Sequence, residues 1–298
     1  HTVIPGATTA DAMWQEIEAL IELVFKQEAT ALTFCRRLYR WFIGKKITPE
    51  IESDIIAPLA NELYAGNYEI EPVAGRLLRS QHFFDADDSD NSDEIVGGMI
   101  KSPLDMALQA LSFFEIPTSS PTAAPRQLYF FEMASGVADW LVRDAGFPLF
   151  DPEDVAGYPA YYQEPIFSRQ WFNSNTIISR YKFPAKLLSG KVSYGGNPDI
   201  PIYLRLNAPV WVKTSPVFSD PANPEALVQD LLHYLFPETP DADRFKYFYE
   251  TVFLNQLPPA DWTYEWLTYL DTGDDTEVQI PLGNLIKAVL YSPEFQLF

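Results

Sequence analysis

The chain has 298 residues, with 41 acidic against 21 basic side chains and a formal charge of −20. That charge repels phosphate backbones and anionic lipid surfaces, which removes nucleic acid from the expected partners. With 47% hydrophobic and 15% aromatic residues the composition excludes disorder, and the length suits one extended domain or two interlocked ones.

The start His1-Thr2-Val3 shows no charged region followed by an apolar one, so no targeting segment is legible. A start at histidine reads as a processed product or a fragment, with an upstream portion expected. Met13, Trp14, Ile17, Leu20, Ile21, Val24 and Phe25 then recur at helical spacing and predict an amphipathic helix. A second helix follows, its stripe of Ala31, Leu32, Cys35, Leu38, Tyr39 and Phe42 lying opposite Arg36, Arg37 and Arg40. Cys35 is the only cysteine, so no internal disulfide can form, and its place on the stripe makes it a core residue. Thr48-Pro49-Glu50 offers an N-cap, a proline at the first helical position and an acid in the first turn, with Gly66-Asn67 as the stop. Pro58 inside this helix predicts a bend. Further helices are expected from about Glu71 to Phe83 and from Ser102-Pro103, where Asp105 completes a capping box.

Ala124–Asp144 and Gln170–Ser189 also read as helices, joined by an ordered loop rich in proline, glycine and tyrosine. From Gly195 to Pro224 short apolar runs, Ile202-Tyr203-Leu204 and Val210-Trp211-Val212, predict a minor extended or β element near 200–213. Helices resume at Leu227–Leu235, Thr239–Leu257, Asp261–Leu270 and Pro281–Tyr291. No apolar run approaches the roughly 20 residues needed to cross a bilayer. The fold class is therefore mainly α, a bundle or array of about ten helices.

Val73 to Phe83 (V-A-G-R-L-L-R-S-Q-H-F) and Leu285 to Phe295 (L-I-K-A-V-L-Y-S-P-E-F) share an apolar rhythm and a closing Ser-x-x-Phe, 212 residues apart. Each copy is preceded by Thr-Pro-acid, at Thr48 and at Thr239. Two copies of one helical unit is one reading, and convergent helix punctuation is the other. In a Ser-x-x-Phe ending the serine can meet freed carbonyls or cap the next turn while the phenylalanine folds onto the core. The expected organisation is a first helical unit at 1–116, central helices with the loop and extended segment at 117–222, and a second helical unit at 223–298, packed as one continuous domain.

Several stretches together resemble the bacterial domain-of-unknown-function family numbered 1800. They are Phe34 to Phe42, Leu77 to Phe84, Ile100 to Asp105, Asp154 to Tyr162 with Trp171 to Ser174, and Leu290 to Phe295. The start of the chain corresponds to the middle of such a protein, so the resemblance covers its C-terminal two-thirds. It implies export to the periplasm or cell surface and a sulfatase-like protein encoded nearby, with no established activity. Tyr158, where the family generally has tryptophan, and the acidic insert after Phe84 depart from its pattern.

The site expected from the residues is the Asp151–Arg180 stretch. Gly157 and three prolines fix its backbone, and Asp154, Tyr158, Tyr161, Tyr162, Trp171, Asn173, Asn175 and Arg180 supply aromatic faces and hydrogen-bonding groups suited to a glycan or peptide. A tightly packed loop is the competing reading. Asp85, Asp87, Asp90 and Asp93 alternate as a hard cation such as Ca²⁺ would require, but EF-hand glycine and glutamate spacing is missing, so a solvated loop is favoured and no cofactor is predicted. The internal histidines, His82 and His233, lie on predicted helices, and no nucleophile elbow, zinc helix or phosphate loop occurs. The expectation is an extracytoplasmic binding or assembly module for a glycan or protein partner. The alternative is a surface-polysaccharide hydrolase using two carboxylates among Asp151, Asp154 and Glu164.

Overall fold

The computed structural model describes residues 4, 6–44, 46–84, 98–116, 126–152, 154–157, 171–189 and 205–298. They fall into two compact units, His1–Met99 and Ile100–Phe298. Among the described residues there are twelve helices and no strand.

In the first unit, α1 (Ala10–Phe25) is capped by Thr9, whose hydroxyl accepts from the Ala12 amide. The stripe predicted on α1 is there, but none of its residues is buried: Trp14 is 67% exposed and Leu20 52%. α2 (Glu28–Phe42) does pack its stripe, burying Ala31, Cys35 and Tyr39 at intervals of four. α3 begins as predicted, with the Thr48 hydroxyl accepting from Ile51 N (3.2 Å) and Pro49 in the first turn. It runs from Pro49–Ile51 through a π-helical turn, Glu52–Ile56, into Ala57–Ala65. The bend expected at Pro58 takes this form. Proline cannot donate to the carbonyl four residues back, and just before it the helix widens so that Ala57 N bonds Glu52 O. Gly66 eases the end of the helix, because a Cβ there would lie a tight 3.2 Å from the Glu62 carbonyl. Asn67 and Tyr68 then take left-handed φ of 50° and 63°. That turn points the Tyr68 hydroxyl to the Phe25 carbonyl, 2.8 Å away, and sets its ring edge-on to Phe25. α4 (Ile70–Leu77) and a 3-10 turn (His82–Phe84) close the unit.

In the second unit, α5 (Pro103–Phe113) carries the predicted capping box: Asp105 N bonds Ser102 Oγ (3.1 Å) and Ser102 N bonds Asp105 Oδ2 (3.3 Å). α6 runs from Arg126–Val137 into a π turn, Ala138–Arg143, and α7 is Thr176–Ser189. The extended element expected near 200–213 is not what 208–214 adopts. Val210-Trp211-Val212 lies inside α8 (Ala208–Thr214), because the Asn207 side chain accepts from Val210 N and Pro209 sits where the first helical amides need no partner. Residues 200–204 of that expectation lie outside the described ones.

α9 (Pro224–Leu235) is capped by Asn223. α10 is Ala242–Lys246 continuing through a π turn, Tyr247–Phe253. Its cap is Asp241, accepting from Arg244 N at 2.8 Å, two residues beyond the Thr239 expected for that role. α11 (Pro259–Thr272) ends at Gly273, with φ of 77°. α12 (Thr276–Tyr291) packs against α7, α8, α10 and α11 and buries Leu282, Leu285, Ile286, Val289 and Leu290. A 3-10 turn (Glu294–Gln296) follows, and the tail pairs with the segment before α5 through Ile100 and Leu297.

The Ser-x-x-Phe endings have the same geometry in both units. Ser80 Oγ donates to Leu77 O (2.7 Å) and accepts from Phe83 N (3.1 Å). Ser292 Oγ donates to Val289 O (2.7 Å) and accepts from Phe295 N (3.4 Å). Phe295 is fully buried and Phe83 packs against the core of its unit. Each serine satisfies a carbonyl that the helix end leaves open and caps the turn that follows.

Candidate ligand cleft

On α12, Asn284, Lys287 and Tyr291 stand three and four residues apart, on the face turned away from the apolar stripe. The first turns of α10 bring Arg244 and Tyr247 opposite them, and Ser292 and Pro293 close the end. The result is an open cleft of about 430 Å³, within the usual range of ligand sites. Arg244 is fixed by a fork to Glu294, Nε to Oε1 at 2.7 Å and Nη2 to Oε2 at 3.0 Å. Its guanidinium also lies over the rings of Tyr247 (5.3 Å) and Phe248 (4.7 Å). Burial alone would raise the pKa of Glu294, but the hydrogen bonds from Arg244 and from its own amide hold it below the usual carboxylate range. Arg244 is raised in turn by its bond to Glu294.

That pair is neutral. Lys287, exposed and 5.5 Å from the Tyr291 ring centroid, leaves the cleft with a surplus positive charge. Tyr291 also leans on Tyr181 at 5.4 Å, and burial raises its phenol pKa. Ser292 is not poised as a nucleophile, since its proton goes to the Val289 carbonyl and it is 4% exposed. The cleft offers two phenol rings, an amide and a cation, groups that hold a ligand without attacking it.

The described residues among those expected to form the site lie outside this cleft. Trp171 is buried, edge-on to Phe147 at 5.7 Å. The Asn173 side chain accepts from the amides of Asn175 (2.9 Å) and Thr176 (3.1 Å) and so starts α7, with Asn175 exposed beside it. Arg180 is fully buried, donating to Gln296 Oε1 (2.7 Å) and to the Lys101 carbonyl (2.9 Å), and burial pushes its pKa down to about 10. Asp154 is exposed in a short turn closed by Gly157 N on its carbonyl (2.9 Å), and Asp151 pairs with Arg143 at 3.0 Å on the surface. Tyr158, Tyr161, Tyr162, Glu164 and the acidic positions Asp85, Asp87, Asp90 and Asp93 lie outside the described residues. Among the described residues no three His, Cys, Asp or Glu side chains gather as a metal would require.

The model of the family described as "Protein of unknown function (DUF1800)" matches residues 1–297. The chain belongs to this family. Comparison with curated proteins and with solved structures finds no match. In this DUF1800 member, no described helix is long and apolar enough to cross a membrane. The cleft left a trace in its sequence, since Asn284, Lys287 and Tyr291 are the polar positions in the apolar last three turns of α12. The pairing of Arg244 with Glu294, 50 residues away, left none.

Proposed function

We propose that this DUF1800 member is a binding module, working outside the cytoplasm, that holds an anionic glycan in the cleft between α10 and α12. One observation carries the reading: in a chain of net charge −20 the cleft places the surplus ammonium of Lys287 beside two tyrosine rings, Tyr247 and Tyr291. Aromatic faces stack on the apolar faces of pyranose rings, the Asn284 amide suits hydroxyl groups, and the ammonium suits a sulfate or carboxylate. The Arg244–Glu294 fork keeps the wall rigid, so little order has to be created on binding. A sulfatase-like partner, which the family resemblance implies, would meet its substrate on such a module.

The test compares retention on dextran with retention on dextran sulfate, which share a backbone. Dextran sulfate should be held and dextran not, with binding weakened by salt and weakened on the order of tenfold or more in Lys287→Glu. Equal retention of both polymers, or retention unchanged in Lys287→Glu, refutes the reading.

A further inference from the structure

The first unit carries a cleft of its own, of about 500 Å³, between α3 and α4. Its lining follows the cleft on α12 in register. Pro72, Arg79 and Ser80 line it, and 212 residues further on Asn284, Tyr291 and Ser292 line the other. Both clefts lie between a capped helix with a π turn and the helix that ends in Ser-x-x-Phe. Their charges follow one plan. Arg244 is neutralised by Glu294 in one, and Arg76 by Glu62 at 2.7 Å in the other. Each cleft then keeps one further cation, Lys287 or Arg79.

These two cations stand at different register positions, because Lys287 corresponds to Gly75. Arg79 nevertheless reaches back over residue 75. Its Nε donates to the Gly75 carbonyl at 2.8 Å, and a Cβ added at Gly75 would lie 3.4 Å from Arg79 Nη2. The guanidinium therefore lies in contact with the position from which a side chain at residue 75 would start. From this we infer that the first unit holds a second anion site, with Arg79 doing what Lys287 does and taking the same sulfate or carboxylate group. The inference rests on reading the α10–α12 cleft as an anion site. The first unit's cleft has no tyrosine among its lining residues, so it binds the same ligand on the order of tenfold more weakly.

Equilibrium dialysis of the whole chain against sulfated isomaltose, the two-sugar piece of dextran sulfate, reads the number of sites. Two sites per chain are expected, one in Arg79→Glu, one weaker site in Lys287→Glu and none in the double variant. Arg79 and Lys287 are both exposed, so circular dichroism should show unchanged helix content, and Arg79→Gln gives a milder check. A single site that is lost in Lys287→Glu and indifferent to Arg79→Glu overturns the inference and leaves the α10–α12 cleft standing. The same holds if the disaccharide is unbound while dextran sulfate is retained. No binding of either ligand overturns both readings.

Discussion

Lys101 should make the stability of the protein rise with pH between about 8 and 10. Its side chain is 3% exposed, donates to the Phe295 carbonyl at 2.9 Å and lies 4.8 Å from the Phe295 ring centroid. Burial, helped by the nearby Arg180 and partly offset by Asp105, lowers its pKa from 10.5 to about 8. Between pH 8 and 10.5 the unfolded chain holds the proton and the folded chain does not, so stability increases as pH rises through this window. At 1.36 kcal/mol per pKa unit, the ammonium costs the folded state roughly 3 kcal/mol below pH 8. Tyr249, Tyr269 and Tyr291 have pKa values raised by burial, which removes stability once unfolded tyrosines ionise above about pH 10, so the measurement belongs below that point. Urea unfolding at pH 7, 8, 9 and 10 should show the wild type gaining about 2 kcal/mol on Lys101→Met from pH 8 to 10, a difference from which the opposing contribution of the buried Cys35 thiol cancels. Lys101→Met should lack that gain and should fall over the same range, because the unfolded Cys35 thiol ionises there while the buried one does not. At pH 7 it should exceed the wild type by about 2 kcal/mol, after about 1 kcal/mol is subtracted for the lost bond to Phe295 O. Parallel pH profiles for the two proteins would refute the reasoning.

Two further outcomes follow from local geometry. Ser292→Ala removes one bond to a carbonyl and one from an amide in a buried turn and should cost about 2 kcal/mol, whereas Ser80→Ala, half-buried, should cost about 1 kcal/mol; urea midpoints decide both. The Cys35 thiol is fully buried, and burial, helped by Glu62, pushes its pKa up to about 11, so a disulfide reagent at pH 8 should label the native protein orders of magnitude more slowly than the urea-unfolded one.

The devices that act within a few residues were readable in advance. Thr48, the Ser102–Asp105 box and the serines of the two Ser-x-x-Phe endings each bond groups three residues away, so sequence spacing nearly determines their contacts. Residue type misled where context decides. Val210-Trp211-Val212 has the β-branched and aromatic character of a strand, yet Asn207 and Pro209 start a helix there. Trp171 and Arg180 have the chemistry of a binding surface, but both are buried, Trp171 against Phe147 and Arg180 on Gln296, where it joins α7 to the C-terminal turn. Burial is a tertiary property that a side chain does not declare. The cleft was overlooked for the same reason, since its two walls are separated in sequence and meet only once α12 is packed.

The exposure of α1 has a kinetic consequence. With no buried residue, its 16 residues draw little from packing, and isolated helices of that length are marginal in water. What holds it is unevenly placed: a hydroxyl cap at Thr9, an exposed Glu22–Lys26 pair, and at the far end the Tyr68 hydroxyl on the Phe25 carbonyl with the rings of Phe25, Phe34 and Tyr68 gathered around it. The helix is thus fastened at its C-terminal end. It should open from Ala10 inward, its amide protons exchanging with solvent along a gradient that slows toward Phe25, while those of α2, anchored by Ala31, Cys35 and Tyr39, wait for the whole unit to unfold.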